Sequence, residues 1–506
     1  MARYDTITQR QSVLLWSVWA LGLLLHTMTL NASHPMPWDG GIYLNAAKNL
    51  ALGLPYDYHN PLLISAPPVY PFLLSLVYFF TGLDITALKM VNVLFLAAGS
   101  LAVFYFFKRR YSFLVAFSLF SVFMFSSQYY FFKQMLYTDL TFTSLLIILL
   151  VLMEHREPRR GWLGPTLFLL SAILILTRVS AVALLAALVL LQVVIRVWPV
   201  ERTRLRSSPR ILLVVSAGLA MGLILQKLLV GGSQVASHTS WFLDHFQKGG
   251  LSGIVTLVHD VGEKCGHLVM MARSFLVNVE GAPKTLIVLL SLVVLSLCLA
   301  GFIRSVWRRE NPELDLFFLA YIAMIVLLPF TTEVRFLFPL FLNLLLYITL
   351  GTEWIWSLVP RPPFWTVDKG IALTLVLLLL IPNLVNGYTK YRGRDPFHGV
   401  PQVSSPQIDQ LVAWLTSHTE PGQIIGYPHA PMLAVLLDRE VYVMGNIGMS
   451  RPPPRPVDFI VLEDNTLPGS EAVADFRTCY QQEVFSTQRH SVRKRSRECN
   501  AVQHKG

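Results

Sequence analysis

Apolar runs, each roughly twenty residues long, recur between residues 12 and 386 and leave such a chain few folds to choose from. Inside hydrocarbon the backbone has no water to bond, so these runs must be helices. Of the 506 residues, 54% are hydrophobic and only 14% charged, and the mean hydropathy is positive. That is too apolar for a soluble protein of this length, and it implies a polytopic helical membrane protein. The first run, residues 12–30, lacks a small-residue cleavage site and is followed by many like it, so it is read as a retained span rather than a signal peptide.

Arginine and lysine clusters orient the spans: Arg3 and Arg10, Lys108 to Arg110, Arg156 with Arg159 and Arg160, the group from Arg196 to Arg210, Arg304 with Arg308 and Arg309, and Arg361 with Lys369. Placing spans at about 12–30, 86–107, 112–130, 138–155, 161–176, 180–198, 211–230, 285–306, 314–330, 336–356 and 370–386 puts every cluster in the cytoplasm. This arrangement has about 11 spans, a cytoplasmic N-terminus and an extracytoplasmic C-terminus. Val69 to Phe80 is apolar but short, and counting it as a span would reverse the Lys108–Arg110 cluster. It is expected to lie along the interface or re-enter. Most of the net charge of +11 is then spent on orientation, and no nucleic acid is needed to account for it. The outward basic run around Arg493 could touch anionic lipid or simply be solvated.

Three regions are expected outside the membrane: 31–85, 231–284 and 387–506. The chain is accordingly divided into a transmembrane catalytic domain, 1–386, whose first loop carries the active site, and a small C-terminal domain, 387–506. In that domain a helix over 408–418, a strand over 423–427, a helix over 431–437 and strands over 441–444 and 458–462 suggest an α/β unit. Pro452–Pro454 and Pro456 form a stiff connector, and the charged tail beyond Gln488 is expected to be disordered. Cys479 and Cys499 fall where a bridge is chemically permitted. His238, Trp241, Asp244, His245, His259 and Asp260 could line an acceptor cleft or belong to a solvated amphipathic helix. No Cys/His spacing resembles a zinc site and no glycine-rich phosphate loop is present.

Ionisable side chains at the outer boundary are few: Asp39, Lys48, Asp57, Asp84, Lys89, Lys133, Asp139, Arg178, Glu333 and Arg335. Charge near hydrocarbon is costly and tends to face a cavity or a partner. Asp39 follows the first span. It could accept a proton from a hydroxyl nucleophile, or it could N-cap a helix starting near Gly41. Arg335 could clamp a phosphate, reach to lipid headgroups or pair with Glu333.

These residues carry a resemblance. Asp39, Tyr43, Ala46–Ala47 and the turn Gly53-Leu54-Pro55-Tyr56, followed by Pro67-Pro68-Val69-Tyr70-Pro71 ahead of an interfacial helix, resemble the first loop of the GT-C membrane glycosyltransferases. The likeness is strongest to the group related to protein O-mannosyltransferases and lipid A aminoarabinose transferases. Gly82 and the segment from Lys89 to Asn92 follow in the same order. Downstream, Thr138-Asp139 matches a site that is commonly glutamate in the family. Thr177-Arg178-Val179 resembles a Thr-Arg-Pro turn with valine for proline, and Arg335-Phe336-Leu337-Phe338-Pro339 resembles Arg-Tyr-x-x-Pro with phenylalanine for tyrosine.

The resemblance implies transfer of a hexosyl or pentosyl unit from a polyprenyl-phosphate carrier to an acceptor hydroxyl on the extracytoplasmic face, with inversion. Asp39 would be the base, and Arg335, with Arg178 or Lys89, would hold the carrier phosphate. Asp139, Tyr43, Tyr70 and Glu333 would position the acceptor or the loop, although for Asp139 a structural hydrogen bond is an equal reading. Clustered carboxylates are too few to indicate a metal, so the expectation is no cofactor beyond the lipid-linked donor. The expected partners are that donor, membrane lipid, and an acceptor that is a glycan, a lipid or a protein. An exported α/β domain without a retention signal favours a bacterial inner membrane. The competing readings are a flippase for lipid-linked sugars, against which stands the absence of an evident internal repeat, and an inactive scaffold.

Overall fold

The computed structural model describes residues 6–32, 38–59, 66–154, 161–197, 207–230, 262–273, 275–276, 283–327, 333–360, 366–391, 405–443, 457–463, 482–487 and 490–495. The chain forms two compact units. The first comprises Met1–Thr29, Met90–Lys133 and Thr138–Arg394, and the second Leu30–Lys89, Gln134–Tyr137 and Asp395–Gly506. The expected acceptor-cleft residues from His238 to Asp260, the proline connector, Cys479 and Cys499 lie outside the described residues.

Among the described residues, eight helices are long and apolar enough to cross a membrane: Gln9–Met28 (α1), Ile85–Lys108, Phe113–Phe132, Val179–Val197, Pro209–Leu229, Lys284–Arg308, Val334–Leu358 and Val367–Gly387. The protein is a multi-pass membrane protein. The remaining three expected spans correspond to shorter helices, Asp139–Met153, Leu163–Thr177 and Pro312–Leu327.

Helix association in lipid depends on close backbone approach, because no hydrophobic drive separates helix from acyl chain. Two crossings in the first unit use glycine for this. A Cβ at Gly218 or Gly222 would come 2.4 Å from the Phe168 carbonyl oxygen or 2.8 Å from that of Ala172, so Pro209–Val230 lies against Leu163–Thr177 backbone to backbone. Gly301 and Gly351 do the same between Lys284–Arg308 and Phe341–Leu358. Some of the buried polar groups in this unit are paired with one another. Ser305 and Tyr347 both donate to Asp315 at 2.9 Å, and Arg304 reaches Glu353 at 3.2 Å.

The second unit contains the two helices of the first loop, Trp38–Leu52 (α2) and Val69–Thr81 (α3). Gly53, at φ 69°, ends α2, and Leu54 donates back to the Asn49 carbonyl at 2.9 Å; only a residue at ease in the left-handed region turns the chain so tightly. At 13 residues α3 is about 20 Å long, short of the ~30 Å hydrocarbon core. It buries Tyr70, Pro71 and Leu74 and exposes Phe72, Leu76, Phe79 and Phe80, a strongly two-sided helix.

The C-terminal part of this unit contains the helix Pro406–His418, capped by the Ser405 hydroxyl, then β1 (Ile425–Tyr427), the helix Ala430–Leu437, β2 (Val441–Val443), β3 (Phe459–Glu463), β4 (Gln482–Ser486) and β5 (His490–Lys494). The sheet order is β2-β1-β3-β5-β4. β1 runs parallel to β2 and β3, and β5 antiparallel to β3 and β4.

Two expectations are corrected. The tail beyond Gln488 is not disordered throughout, because residues 490–494 form an internal strand. Two-sided backbone pairing and burial of His490, Ser491 and Val492 outweigh the local charge, while Arg493 and Lys494 fall at the strand's exposed end. Nor is Asp39 an N-cap for a helix starting near Gly41. The helix already includes Trp38, which places Asp39 in its first turn, where the helix dipole favours a carboxylate.

Candidate functional site

In the second unit the candidate residues are organised by α2. Asp39 is half-buried at its N-terminal end. One turn on, Tyr43 meets Tyr70 of α3 edge to face, with ring centroids 5.5 Å apart, so the two tyrosines expected to shape the loop are brought together. The Tyr56 hydroxyl donates to the Ala66 carbonyl at 2.8 Å, and burial, with Tyr43 adding to it, pushes its phenol well above the usual range. Asn49 donates to the carbonyls of Tyr56 at 3.3 Å and Tyr58 at 2.8 Å, and Asn45 donates to that of His59 at 3.3 Å, which pins the turn after α2 to the helix itself.

Lys89, also in the second unit, is fully buried. Its ammonium donates to the Asn31 carbonyl at 2.8 Å, to the Asn31 side chain at 3.2 Å and to Gln134 at 3.3 Å. These three acceptors are neutral oxygens.

In the first unit the structure gathers four candidates around one aromatic ring. Arg178 is the extended residue between Leu163–Thr177 and a short 3-10 turn, and its guanidinium pairs with Asp139, a carboxylate 1% exposed in the first turn of Asp139–Met153. Arg335 pairs with Glu333 at 2.8 Å; Glu333 is the extended residue that flanks the 3-10 helix Val334–Leu340. The Phe336 ring lies 5.6 Å from the Arg178 guanidinium carbon and 5.4 Å from that of Arg335. Two cations therefore share one ring, each also held by a carboxylate.

Two further boundary charges have partners. Asp84 accepts from the amide of Ala87 at 3.0 Å as a helix cap, and buried Lys133 donates to the His26 carbonyl at 2.7 Å. Among the described residues no three His, Cys, Asp or Glu side chains converge as metal ligands would. Sequence reasoning missed the partner of Lys48, which is Asp438 at 2.7 Å, and the position of Phe336 beside both arginines. The family's aromatic position pointed to Phe336; nothing local pointed to Asp438.

No family model and no curated protein matches the chain. Solved structures do. ArnT from Cupriavidus metallidurans, determined with undecaprenyl phosphate, aligns at a TM-score of 0.54 and 12% identity over 95% of this chain and 97% of its own. The Archaeoglobus fulgidus oligosaccharyltransferase complexed with zinc and sulfate aligns at 0.54 and 12% over 88% of this chain and 68% of its own. The mycobacterial arabinofuranosyltransferase AftD aligns at 0.50 and 14% over 91% and 36%. At these identities the likeness is one of fold, and over nearly its whole length the chain has the GT-C fold of membrane glycosyltransferases.

Proposed function

We propose that the protein transfers a sugar from a polyprenyl-phosphate carrier to an acceptor hydroxyl on the extracytoplasmic face, with inversion. The observation that carries this reading is the near end-to-end likeness to a structure determined with undecaprenyl phosphate. The residues supply the chemistry. Asp39 accepts the acceptor's hydroxyl proton as its oxygen attacks the anomeric carbon, the bond from that carbon to the phosphate oxygen breaks, and polyprenyl phosphate leaves with the electron pair. Arg335 binds the phosphate and stabilises its growing charge; Arg178, across Phe336, is the second cation, and Asp139 holds it. Tyr43 and Tyr70 position the loop that bears Asp39. Lys89, already saturated, is assigned to holding Asn31 and Gln134 together rather than to the donor. A hexosyl or pentosyl donor, a glycan, lipid or protein acceptor and a bacterial inner membrane are the classes this reading predicts.

The test is transfer from radiolabelled polyprenyl-phosphate sugars into cell-envelope fractions by membranes carrying the wild type or Asp39→Asn at equal expression. Transfer by the wild type alone, with donor binding kept in the variant, is the expected result. Equal transfer by both removes Asp39 from the chemistry, and none with any donor favours a flippase.

A further inference from the structure

Helix α2 bears the proposed base at one end, and the structure fixes that helix along a face that the reaction does not use. Gly41 and Lys48 lie about two turns apart and so share one face. At Gly41, a Cβ would come 2.6 Å from the backbone nitrogen of Met432 and 2.9 Å from Pro431, so α2 touches the first turn of Ala430–Leu437 with no side chain between. At Lys48, the ammonium reaches the far end of the same helix. It donates to the Val435 carbonyl at 3.3 Å and to Asp438 at 2.7 Å. Asp438 is the residue after that helix, at φ 54°, and a cation there faces carbonyls that have no further turn to bond them. Lys48 is itself buried, and Leu44 and Ala47 of the same helix are wholly buried. The remaining sides of α2 are held by α3 through Tyr43 and by the 53–59 turn through Asn45 and Asn49.

We infer that Lys48 is a positioning residue for the proposed base: by capping the helix Ala430–Leu437 it makes the C-terminal α/β segment a brace that sets the register and tilt of α2, and so the place of Asp39. The inference rests on the function proposed above. The α/β segment, on this account, is a structural part of the catalytic apparatus. A base about two and a half turns from its anchor swings when the anchor is lost, and a displacement of about 1 Å at a reacting group costs up to ~100-fold in rate.

The experiment compares full-length wild type, Lys48→Met, Lys48→Arg, Asp438→Asn and the exchanged pair Lys48→Asp/Asp438→Lys, with Asp39→Asn as reference, reading kcat and donor KM for sugar transfer and amide hydrogen exchange along 38–52 and 430–437. Lys48→Met is expected to lose ~10- to 100-fold in kcat with donor KM unchanged and to speed exchange at the first turns of α2. Lys48→Arg, which keeps a donor for the Val435 carbonyl, should recover most of the rate, and the exchanged pair, whose carboxylate at 48 cannot donate to that carbonyl, only a small part. Asp438→Asn, which keeps the carbonyl contact and alters only an exposed side chain, should lose less in the same direction and serves if Lys48→Met does not fold. Wild-type kcat in Lys48→Met while Asp39→Asn is inactive overturns the inference alone, as does faster exchange confined to 430–437. Wild-type transfer by Asp39→Asn overturns both readings.

Discussion

The buried pair Arg178–Asp139 can be taken apart in a way that separates structure from chemistry. The Asp139 side chain is 2% exposed and that of Arg178 16%, so each charge has given up most of its water for the other. Asp139→Leu leaves a largely buried guanidinium without its carboxylate, which costs about 3–5 kcal/mol of stability. Arg178→Met does the same to the carboxylate. The double variant Arg178→Met/Asp139→Leu removes both charges and is expected within about 1 kcal/mol of wild type, because an apolar pair avoids the desolvation that the ion pair only offsets. The coupling energy from the cycle should therefore be large, about 5 kcal/mol or more. Unfolding of the detergent-solubilised protein in denaturant measures it. The refolded double variant then reports on chemistry. Loss of one charge-assisted contact to the carrier phosphate, about 1.5–3 kcal/mol, should weaken donor binding ~10- to 100-fold at near-wild-type stability. If the double variant is destabilised by the sum of the two single variants, the two side chains are not coupled and the arrangement around Phe336 is misassigned. If the double variant binds donor normally, Arg178 acts on structure alone.

Glu333→Gln frees Arg335 from its carboxylate and should lower the donor KM without changing stability measurably, since Glu333 is mostly exposed; a raised KM would mean that Glu333 aligns the arginine rather than competing with phosphate. Gly41→Val should destabilise by about 1–3 kcal/mol or more and expose 430–437 to protease, because its neighbours at 2.6 Å and 2.9 Å are backbone atoms that cannot rotate away. His59 should give the second unit a pH-dependent stability. Burial, with Lys48 adding and Glu440 and Asp438 opposing, holds its imidazole below the ordinary 6.5, so the folded state prefers it neutral. Its contribution is complete above pH 6.5 and is lost as pH falls through the lowered value; His59→Gln should flatten the pH dependence of the thermal-unfolding midpoint below pH 6.5 and leave the midpoint unchanged at pH 8.

What the sequence alone determined was whatever depends on neighbours along the chain. Apolar run length and composition established the membrane class and located the eight helices that, among the described residues, are long and apolar enough to cross. The 3.6- and 2-residue periods located Pro406–His418, β1, Ala430–Leu437, β2 and β3 to within about two residues, and the Gly53 turn was readable because few residues accept its backbone angle. The order of Asp39, Tyr70, Asp139, Arg178 and Arg335 led to the GT-C fold that the solved structures share. Tertiary structure decided which charges meet. Asp139 and Arg178 are 39 positions apart, and Lys48 and Asp438 are 390 apart. A low-dielectric interior obliges each buried charge to find a partner, but several partners are chemically equivalent and only chain closure selects one. The same holds for β5, whose local sequence is polar and basic and which becomes a strand because β3 and β4 offer a backbone ladder on both sides. Gly41 marks the limit most plainly: a glycine in the first turn of a helix reads as a weak helix former, and only the packed backbone of Pro431 and Met432 shows why a larger residue has no room.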